Sequence, residues 1–447
     1  VKQLRIAGMV AALSALAFVG VQAAPASADD GDQVVSRGVK IPTFYNPPST
    51  LPAANGALVR TEPLKLGLSL PGLDGRQLPG TATRLMYKST DTHGQPVAVT
   101  AAYIEPAARW TGGGARPLVV LAPGTMGQGD QCAASLALEN PLTLGLSDGI
   151  TVSVGYENLA AYRLLSRGIA VTVTDYAGLG ATDRVHTYVN RLDEAHAVLD
   201  AVRATRALPN TSVTTASPVG LYGYSQGGGA TGAAAELQPT YAPEIKLAGA
   251  YVGAPPADLA RTLPGIDGSA LAAAAGWTVN GLAHTYPELR PLIDTYTNDK
   301  GRAALADIST TCVGDGIFGY PFAKTKDWTK QGISLSEVVA REPVIKAAVD
   351  AQRIGRLKPA TPVRVATGVA DDTVPHGQAR QLAVDWCKKG ADVTYHPIYL
   401  PNLGDKVVLT NHFLPLIEDQ VSALDWIEDR LQGRWTVSNC WRVPVMP

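Results

Sequence analysis

One feature constrains this chain more than any other: short β-branched runs alternate with longer stretches of helical periodicity, and the alternation fails once. Arg84–Ser89 and Val97–Ile104 read as an antiparallel pair around Thr92-His93-Gly94. Leu118–Leu121 is a continuous apolar run that stops at Pro123-Gly124, as a strand buried on both faces would. Asn158–Ser166 reads as a helix and Ile169–Thr174 as a strand. Leu192, Ala195, Leu199 and Val202 recur at helical spacing and predict a helix over 191–206. Val219–Tyr222 is a strand, Gly227–Leu237 a helix of small residues, and Leu247–Val252 a strand. From Pro255 to Pro359 only helical fragments follow, among them Leu271–Ala275 and Val338–Gln352. The rhythm resumes with Val363–Thr367, a helix over Gln378–Lys389, Val393–Tyr399, and a last amphipathic helix through Ile417, Val421, Leu424, Ile427 and Leu431. Such alternation specifies an α/β fold, a mostly parallel sheet with helices on both faces. An insertion of that size in a regular βα series is expected to cap a binding site.

Domain boundaries follow from the same pattern. Residues 1–28 read as a signal peptide, with Lys2 and Arg5 before an uncharged apolar run and Ala26-Ser27-Ala28 at the cleavage site. A membrane-spanning helix is the alternative, but the run breaks at Pro25. Residues 29–83, rich in Pro, Gly and Asp, form an N-terminal arm. The core then spans 84–254 and 362–447, with a helical cap over 255–361. Loss of residues 1–28 leaves 36 basic and 39 acidic side chains. No basic excess remains to hold a phosphate backbone, so no nucleic-acid partner is expected. Four cysteines in an exported chain favour two disulfides, and Cys132, Cys312, Cys387 and Cys440 contain no CxxC pair. Three pairings are open at this point.

The chemistry centres on Gly223-Tyr224-Ser225-Gln226-Gly227. A GxSxG turn presents its serine at a sharp strand-to-helix corner, where flanking glycines avoid clashes and the next backbone N–H faces a developing oxyanion. The string occurs twice, the second copy being Gly145-Leu146-Ser147-Asp148-Gly149. Context separates them. Ser225 follows a strand and precedes a helix, whereas Ser147 sits between Pro141 and Ile150-Thr151-Val152 and reads as a loop residue. A nucleophilic serine needs a base, and the base an orienting carboxylate, in the chain order Ser, Asp or Glu, His. His412, after strand 393–399, is the candidate base. Asp371, just past strand 363–367, is the candidate carboxylate, with Asp372 its neighbour and rival. The bland readings are that Asp371 caps a helix and that His412 merely begins one. The oxyanion donors would be the N–H groups of Gln226 and of Thr125, in the loop Gly124-Thr125-Met126-Gly127 after strand 118–121.

The other histidines lack this ordering. His376 reads as a helix-start residue and His196 as a hydrogen-bonded core or boundary residue. His93, His186, His284 and His396 are given no role. No HExxH or phosphate loop occurs, and Gly178-Leu179-Gly180 is better read as a turn than as a dinucleotide fingerprint. Neither metal nor cofactor is expected.

Gly124-Thr125-Met126-Gly127-Gln128-Gly129-Asp130-Gln131-Cys132, Asp175-Tyr176-Ala177-Gly178-Leu179-Gly180, the Ser225 elbow and Asp371-Asp372-Thr373-Val374-Pro375 together resemble the secretory lipase family. That family, which includes the Candida antarctica lipase A type and actinobacterial members, belongs to the α/β-hydrolase superfamily. The resemblance runs over roughly residues 40–440 and implies an α/β-hydrolase fold with a helical cap inserted before the strand carrying the acid. It also implies hydrolysis of triacylglycerols or other acyl esters, an acyl tunnel under the cap, and the triad Ser225, Asp371 and His412. The family's two disulfides suit Cys132–Cys312 and Cys387–Cys440. One departure is Gln226, where some members carry Gly, which leaves the backbone donor intact but narrows the space beside it.

The expectation is therefore a secreted, monomeric serine esterase acting on lipid esters, with transient contact at a lipid interface. Leu271, Trp277 and Leu282 are candidate acyl contacts, and equally candidates for the cap's own core. The alternatives are a short-chain or polyester esterase or a peptidase on the same fold, and a binding module without catalysis.

Overall fold

The computed structural model describes residues 33–447 apart from 73–76, 146–150, 156 and 405–408. The signal-peptide reading and Ser147 lie outside the described residues. Nine strands make the main sheet: β1 Leu58–Leu64, β2 Gly80–Thr90, β3 Pro96–Pro106, β4 Leu118–Ala122, β5 Ala170–Ala177, β6 Val219–Tyr224, β7 Leu247–Gly253, β8 Val363–Gly368 and β9 Val393–Ile398. Their spatial order is β9-β8-β7-β6-β4-β5-β3-β2-β1. From β9 to β5 every pairing is parallel, and β5-β3-β2-β1 is antiparallel. Every residue of β4, β5 and β6 is buried, which explains why β4 reads as an unbroken apolar run.

Helices cover both faces. On one, α3 (Arg191–Arg206), α4 (Gln226–Tyr241) and α12 (His376–Lys388) contribute Val198, Val202, Ala230, Ala234 and Trp386 to a core with Leu118, Val120 and Leu221. On the other, α1 (Ala134–Glu139), α2 (Asn158–Ser166) and α13 (Thr410–Leu431) bury Leu138, Leu165, Leu424 and Ile427 against Val119, Leu121 and Tyr222. This is the α/β-hydrolase fold.

Between β7 and β8 the chain makes seven α-helices, with two short 3-10 turns among them: α5 Leu259–Ile266, α6 Ala273–Thr285, α7 Arg290–Tyr296, α8 Asp299–Ile308, α9 Val313–Gly319, α10 Leu335–Arg341 and α11 Pro343–Ala351. They share an apolar core of their own, with Trp277, Ile308, Trp328 and Val338 buried. The stretch Val338–Gln352, which reads as one helix, is two. Pro343 cannot donate an N–H and forces Glu342 into an extended conformation, so one helix ends there and the next begins.

The structure differs from the sequence reading at three further places. The N-terminal arm supplies the edge strand β1, whose pattern is masked by Pro63, a residue a strand tolerates only at an edge. Residues 142–145 and 151–154 pair as a small antiparallel ribbon, where no strand was expected. Helix α4 runs past Leu237 to Tyr241 despite Pro239. Elsewhere the arm packs Ile41, Phe44 and Tyr45 against Met86 and Ala98, with the Arg84 guanidinium over both rings at 5.5 and 5.2 Å.

Two disulfides are present. Cys132–Cys312 joins the loop after β4 to the start of α9, and Cys387–Cys440 joins α12 to the C-terminal tail. That tail runs beside β9. Asn439 donates its backbone N–H to Val393 and exchanges side-chain hydrogen bonds with Tyr395, occupying the exposed edge of the sheet.

Candidate active site

The site lies at the carboxyl ends of β4, β6 and β8, where an open α/β sheet offers a crevice. Ser225 occupies the corner between β6 and α4 with φ 58° and ψ −124°, a left-handed conformation rare outside glycine. Close packing holds the strain in place. The Ser225 N–H donates to Gly253 O at 2.9 Å, and a side chain at Gly223 or Gly227 would sit 2.2 Å from Gly227 O or 2.0 Å from Ala122 O. Both glycines are therefore dictated by close backbone approach.

His412 stands in the first turn of α13, after Leu409 at φ 58°. Its Nε2 lies 2.9 Å from Ser225 Oγ and its Nδ1 2.7 Å from Asp371 Oδ2. The other Asp371 oxygen accepts the N–H groups of Thr373 and Val374, at 3.1 and 3.0 Å. Those two bonds fix the carboxylate's direction. Asp372 instead accepts from Asn411 Nδ2 at 3.2 Å. Tyr224 donates its hydroxyl to His412 O at 2.8 Å, bracing the base from below. His412 and Asp371 are buried, so their hydrogen bond is made in a low-dielectric setting.

Thr125 and Ser225 line one small recess with Tyr224, Leu271, Val313, His412 and Phe413. The loop carrying Thr125 is tied down on every side. Gly124 N–H donates to Glu157 Oε1 at 2.6 Å, Tyr176 donates to Pro123 O at 2.6 Å, and Thr125 Oγ1 lies 2.7 Å from the Tyr188 hydroxyl. Gln128 N–H donates to Thr311 O and Val313 N–H to Met126 O, at 2.9 and 2.8 Å. Gly127, at φ 124°, faces Thr311 O, which a β-carbon would approach to 2.4 Å. Burial pushes the Glu157 carboxyl up to about 7.

Ser225 also lines a longer, mainly apolar space beneath the insertion. Ser225, Gln226 and Tyr188 stand at one part of its wall. Most of the remaining wall is apolar side chains of the insertion, including Leu271, Leu282, Ile293 and Val338, with Thr262, Thr278, Thr297 and Thr329 among them. Leu271 and Leu282 thus line the space. Trp277 does not: it is fully buried in the insertion's core, donating its indole N–H toward Ile308 O and Thr311 Oγ1 at 3.0 Å. An indole must find a partner when buried, and these two acceptors turn the ring away from the cavity.

The remaining histidines sit elsewhere. His93 Nε2 meets Thr285 O, and His196 meets Thr90 O and stacks on Tyr241 at 3.8 Å. His376 faces the Tyr395 hydroxyl, His396 lies 3.5 Å from Asp419, and burial lowers the pKa of the half-buried His284. His186 is different. It is fully buried behind the elbow with Nε2 3.0 Å from Gln226 Nε2, and Glu194 accepts from the same Gln226 nitrogen at 2.8 Å. Sequence reasoning passed over both. Glu194 shares a helical face with Val198 and Ala201, and a carboxylate on an apolar face was the available signal. Among the described residues no group of His, Cys, Asp and Glu side chains could hold a metal ion.

The profile of the Secretory lipase family matches residues 144–439. The chain belongs to the secretory lipase family. As a secretory lipase it is a carboxylic ester hydrolase. It is 28% identical over 88% of its length to a probable inactive lipase of Mycobacterium tuberculosis, covering 82% of that relative. It is 28% identical to a secreted triacylglycerol lipase of Malassezia globosa, over 69% of this chain and 65% of the relative. In fold this secretory lipase resembles Candida antarctica lipase A in its closed state, with a TM-score of 0.73 at 22% identity, over 88% of this chain and 87% of the other. Among the described residues no helix is long and apolar enough to cross a membrane.

Proposed function

We propose that this secretory lipase is exported and hydrolyses lipid acyl esters through an acyl-enzyme on Ser225. His412 Nε2 takes the hydroxyl proton as Ser225 Oγ bonds to the ester carbonyl carbon, and Asp371 holds the imidazole and stabilises its protonated form. The backbone N–H groups of Thr125 and Gln226 receive the oxyanion. Collapse of the tetrahedral intermediate breaks the carbon–oxygen bond to the alcohol, which leaves with the proton from His412. Water, deprotonated by the same histidine, then attacks the acyl-enzyme and releases the acid. The helical insertion serves as the cap, and its cavity takes the acyl chain. Leu271 and Leu282 are contacts for that chain.

The observation that carries this reading is the Ser225 hydroxyl, 2.9 Å from His412 Nε2, standing in the wall of a cavity lined mainly by apolar side chains. A peptidase would need polar partners for the peptide groups flanking its scissile bond, and this lining offers few. The test is hydrolysis of an ester series from acetate to long-chain acyl groups, with Ser225→Ala as control. Turnover that needs Ser225 and rises with chain length supports a lipase. A preference for acetate would make the enzyme a short-chain esterase. Turnover retained by folded Ser225→Ala would remove Ser225 from the mechanism.

A further inference from the structure

Gln226 supplies a backbone N–H to the reaction just described, yet its side chain is held as firmly as its main chain. Its carboxamide nitrogen has two hydrogens, and both are used: one toward Glu194 Oε1 at 2.8 Å, the other toward His186 Nε2 at 3.0 Å. The His186 tautomer is fixed by the far side of the ring, where Nδ1 lies 2.9 Å from Ala177 O and must donate, leaving Nε2 to accept. Glu194 Oε1 also takes the Val189 N–H at 2.9 Å. Gln226, His186 and Glu194 are each no more than 2% exposed. Between His186 and Glu194 comes Tyr188, whose hydroxyl meets Thr125 Oγ1 at 2.7 Å. One short segment thus grips both residues whose N–H groups face the oxyanion.

We propose that His186, Tyr188 and Glu194 form a brace that sets the spacing of the two oxyanion donors, acting as positioning residues through the side chains of Thr125 and Gln226. The inference rests on the reading of Thr125 and Gln226 given above. Two physical arguments support it. First, Thr125 follows β4 and Gln226 begins α4, so the donors belong to separate elements, and a brace bonded to both is a direct way to couple them. Second, the brace is neutral where a charge would be harmful. Burial pushes the Glu194 carboxyl up to about 8 and the His186 imidazole down to about 4, so near pH 7 neither carries charge beside the developing oxyanion. The stacking of Tyr176 on His186 at 5.9 Å extends the contact to the residue that holds Pro123.

A purely architectural role, bracing the Val189 turn before α3, is the rival explanation. Steady-state kinetics on one short-chain ester separate the two. Glu194→Ala and Gln226→Ala should each lower kcat by on the order of tenfold to a hundredfold with KM changed less than about threefold, since an interaction realised only in the transition state is weakened. Glu194→Gln keeps an acceptor of the same shape and should retain kcat within about threefold. Glu194→Ala added to Gln226→Ala should cost clearly less than the product of the two single losses, because both act through one carboxamide and Glu194 keeps only its bond to the Val189 N–H as a separate route. Tyr188→Phe, which removes only a hydroxyl, should lower kcat in the same way and covers the case in which Glu194→Ala does not fold. Unchanged kcat in Tyr188→Phe or Gln226→Ala, or losses that multiply in the double variant, would overturn the brace. Ser225→Ala distinguishes the two failures. If it keeps turnover, the site reading falls and takes the brace with it. If turnover depends on Ser225 while the brace variants are silent, the brace alone falls.

Discussion

Replacing Gly227 with alanine tests how tightly the elbow is specified. A β-carbon at Gly227 would lie 2.0 Å from Ala122 O and 2.9 Å from Pro123 O, both backbone atoms of the segment that leads into Gly124-Thr125. An ordinary carbon–oxygen contact is about 3.3 Å, so α4 and the end of β4 must separate by roughly 1.3 Å. No flexible side chain can absorb that movement. The displacement parts Ser225 and Gln226 from Thr125, and a misplacement of about 1 Å costs on the order of 10²-fold in rate. Gly227→Ala should therefore lose about 100-fold in kcat, near 2.7 kcal/mol of transition-state stabilisation, and roughly 1–3 kcal/mol of stability. Gly229, two residues along the same helix, is the internal control. Its β-carbon would meet only the Pro256 ring at 3.3 Å, and alanine is favoured over glycine inside a helix by up to about 1 kcal/mol. Gly229→Ala should keep kcat within about threefold and leave the melting temperature unchanged or higher. The assay is short-chain ester turnover normalised to the concentration of folded protein, with thermal melts of both variants. Wild-type kcat in Gly227→Ala, or equal losses in the two variants, would refute the packing argument.

Three other outcomes follow from the same geometry. Thr278→Phe fills part of the cavity wall with the volume of about three methylene groups; at ~0.8 kcal/mol each this should lower kcat/KM for long-chain esters by about 50-fold, with acetate turnover nearly unchanged, and parallel losses on both would contradict the acyl-site assignment. The Glu194 carboxyl, ordinarily near 4.5, keeps its proton in the folded protein until about 8, so the stability it contributes is fully present below about 4.5 and is lost as pH rises through 8. Melting temperature should accordingly fall more steeply between pH 5 and 8 for wild type than for Glu194→Gln, and equal slopes would mean that Glu194 ionises normally. Paired Cys132→Ser and Cys312→Ser changes remove the tie between the segment after β4 that carries Thr125 and α9, and should cost about 2–5 kcal/mol in denaturant melts; an unchanged midpoint would show that the segment's hydrogen bonds to Thr311 and Val313 suffice.

The parts of this site that were legible in the sequence are those whose geometry is local. A strand, a glycine-flanked serine and a helix in succession define a turn without help from distant residues, which is why Ser225 could be separated from Ser147. Asp371 and His412 followed from chain order. The choice between Asp371 and Asp372 is made by the turn itself, in which Thr373 and Val374 donate to the first carboxylate and orient it. Glu157 and Glu194 were not legible, because their partners, Gly124 and Gln226, lie 33 and 32 residues away and nothing in a local window joins them. Trp277 stood open between cavity wall and core for a related reason. The insertion's own core and its cavity wall draw on the same apolar residues, and only the acceptors at Ile308 and Thr311 decide which way the indole turns. The edge strand β1 was hidden by Pro63, and the break between α10 and α11 at Pro343 by continuous apolar periodicity on either side.

The most direct test of the central claim is covalent labelling. Folded protein treated with a fluorophosphonate and digested for mass spectrometry should carry one adduct, on Ser225, and His412→Ala should label far more slowly because the hydroxyl has lost its base. An adduct on another residue, or folded protein that remains unmodified, would contradict the assignment of Ser225 as the nucleophile.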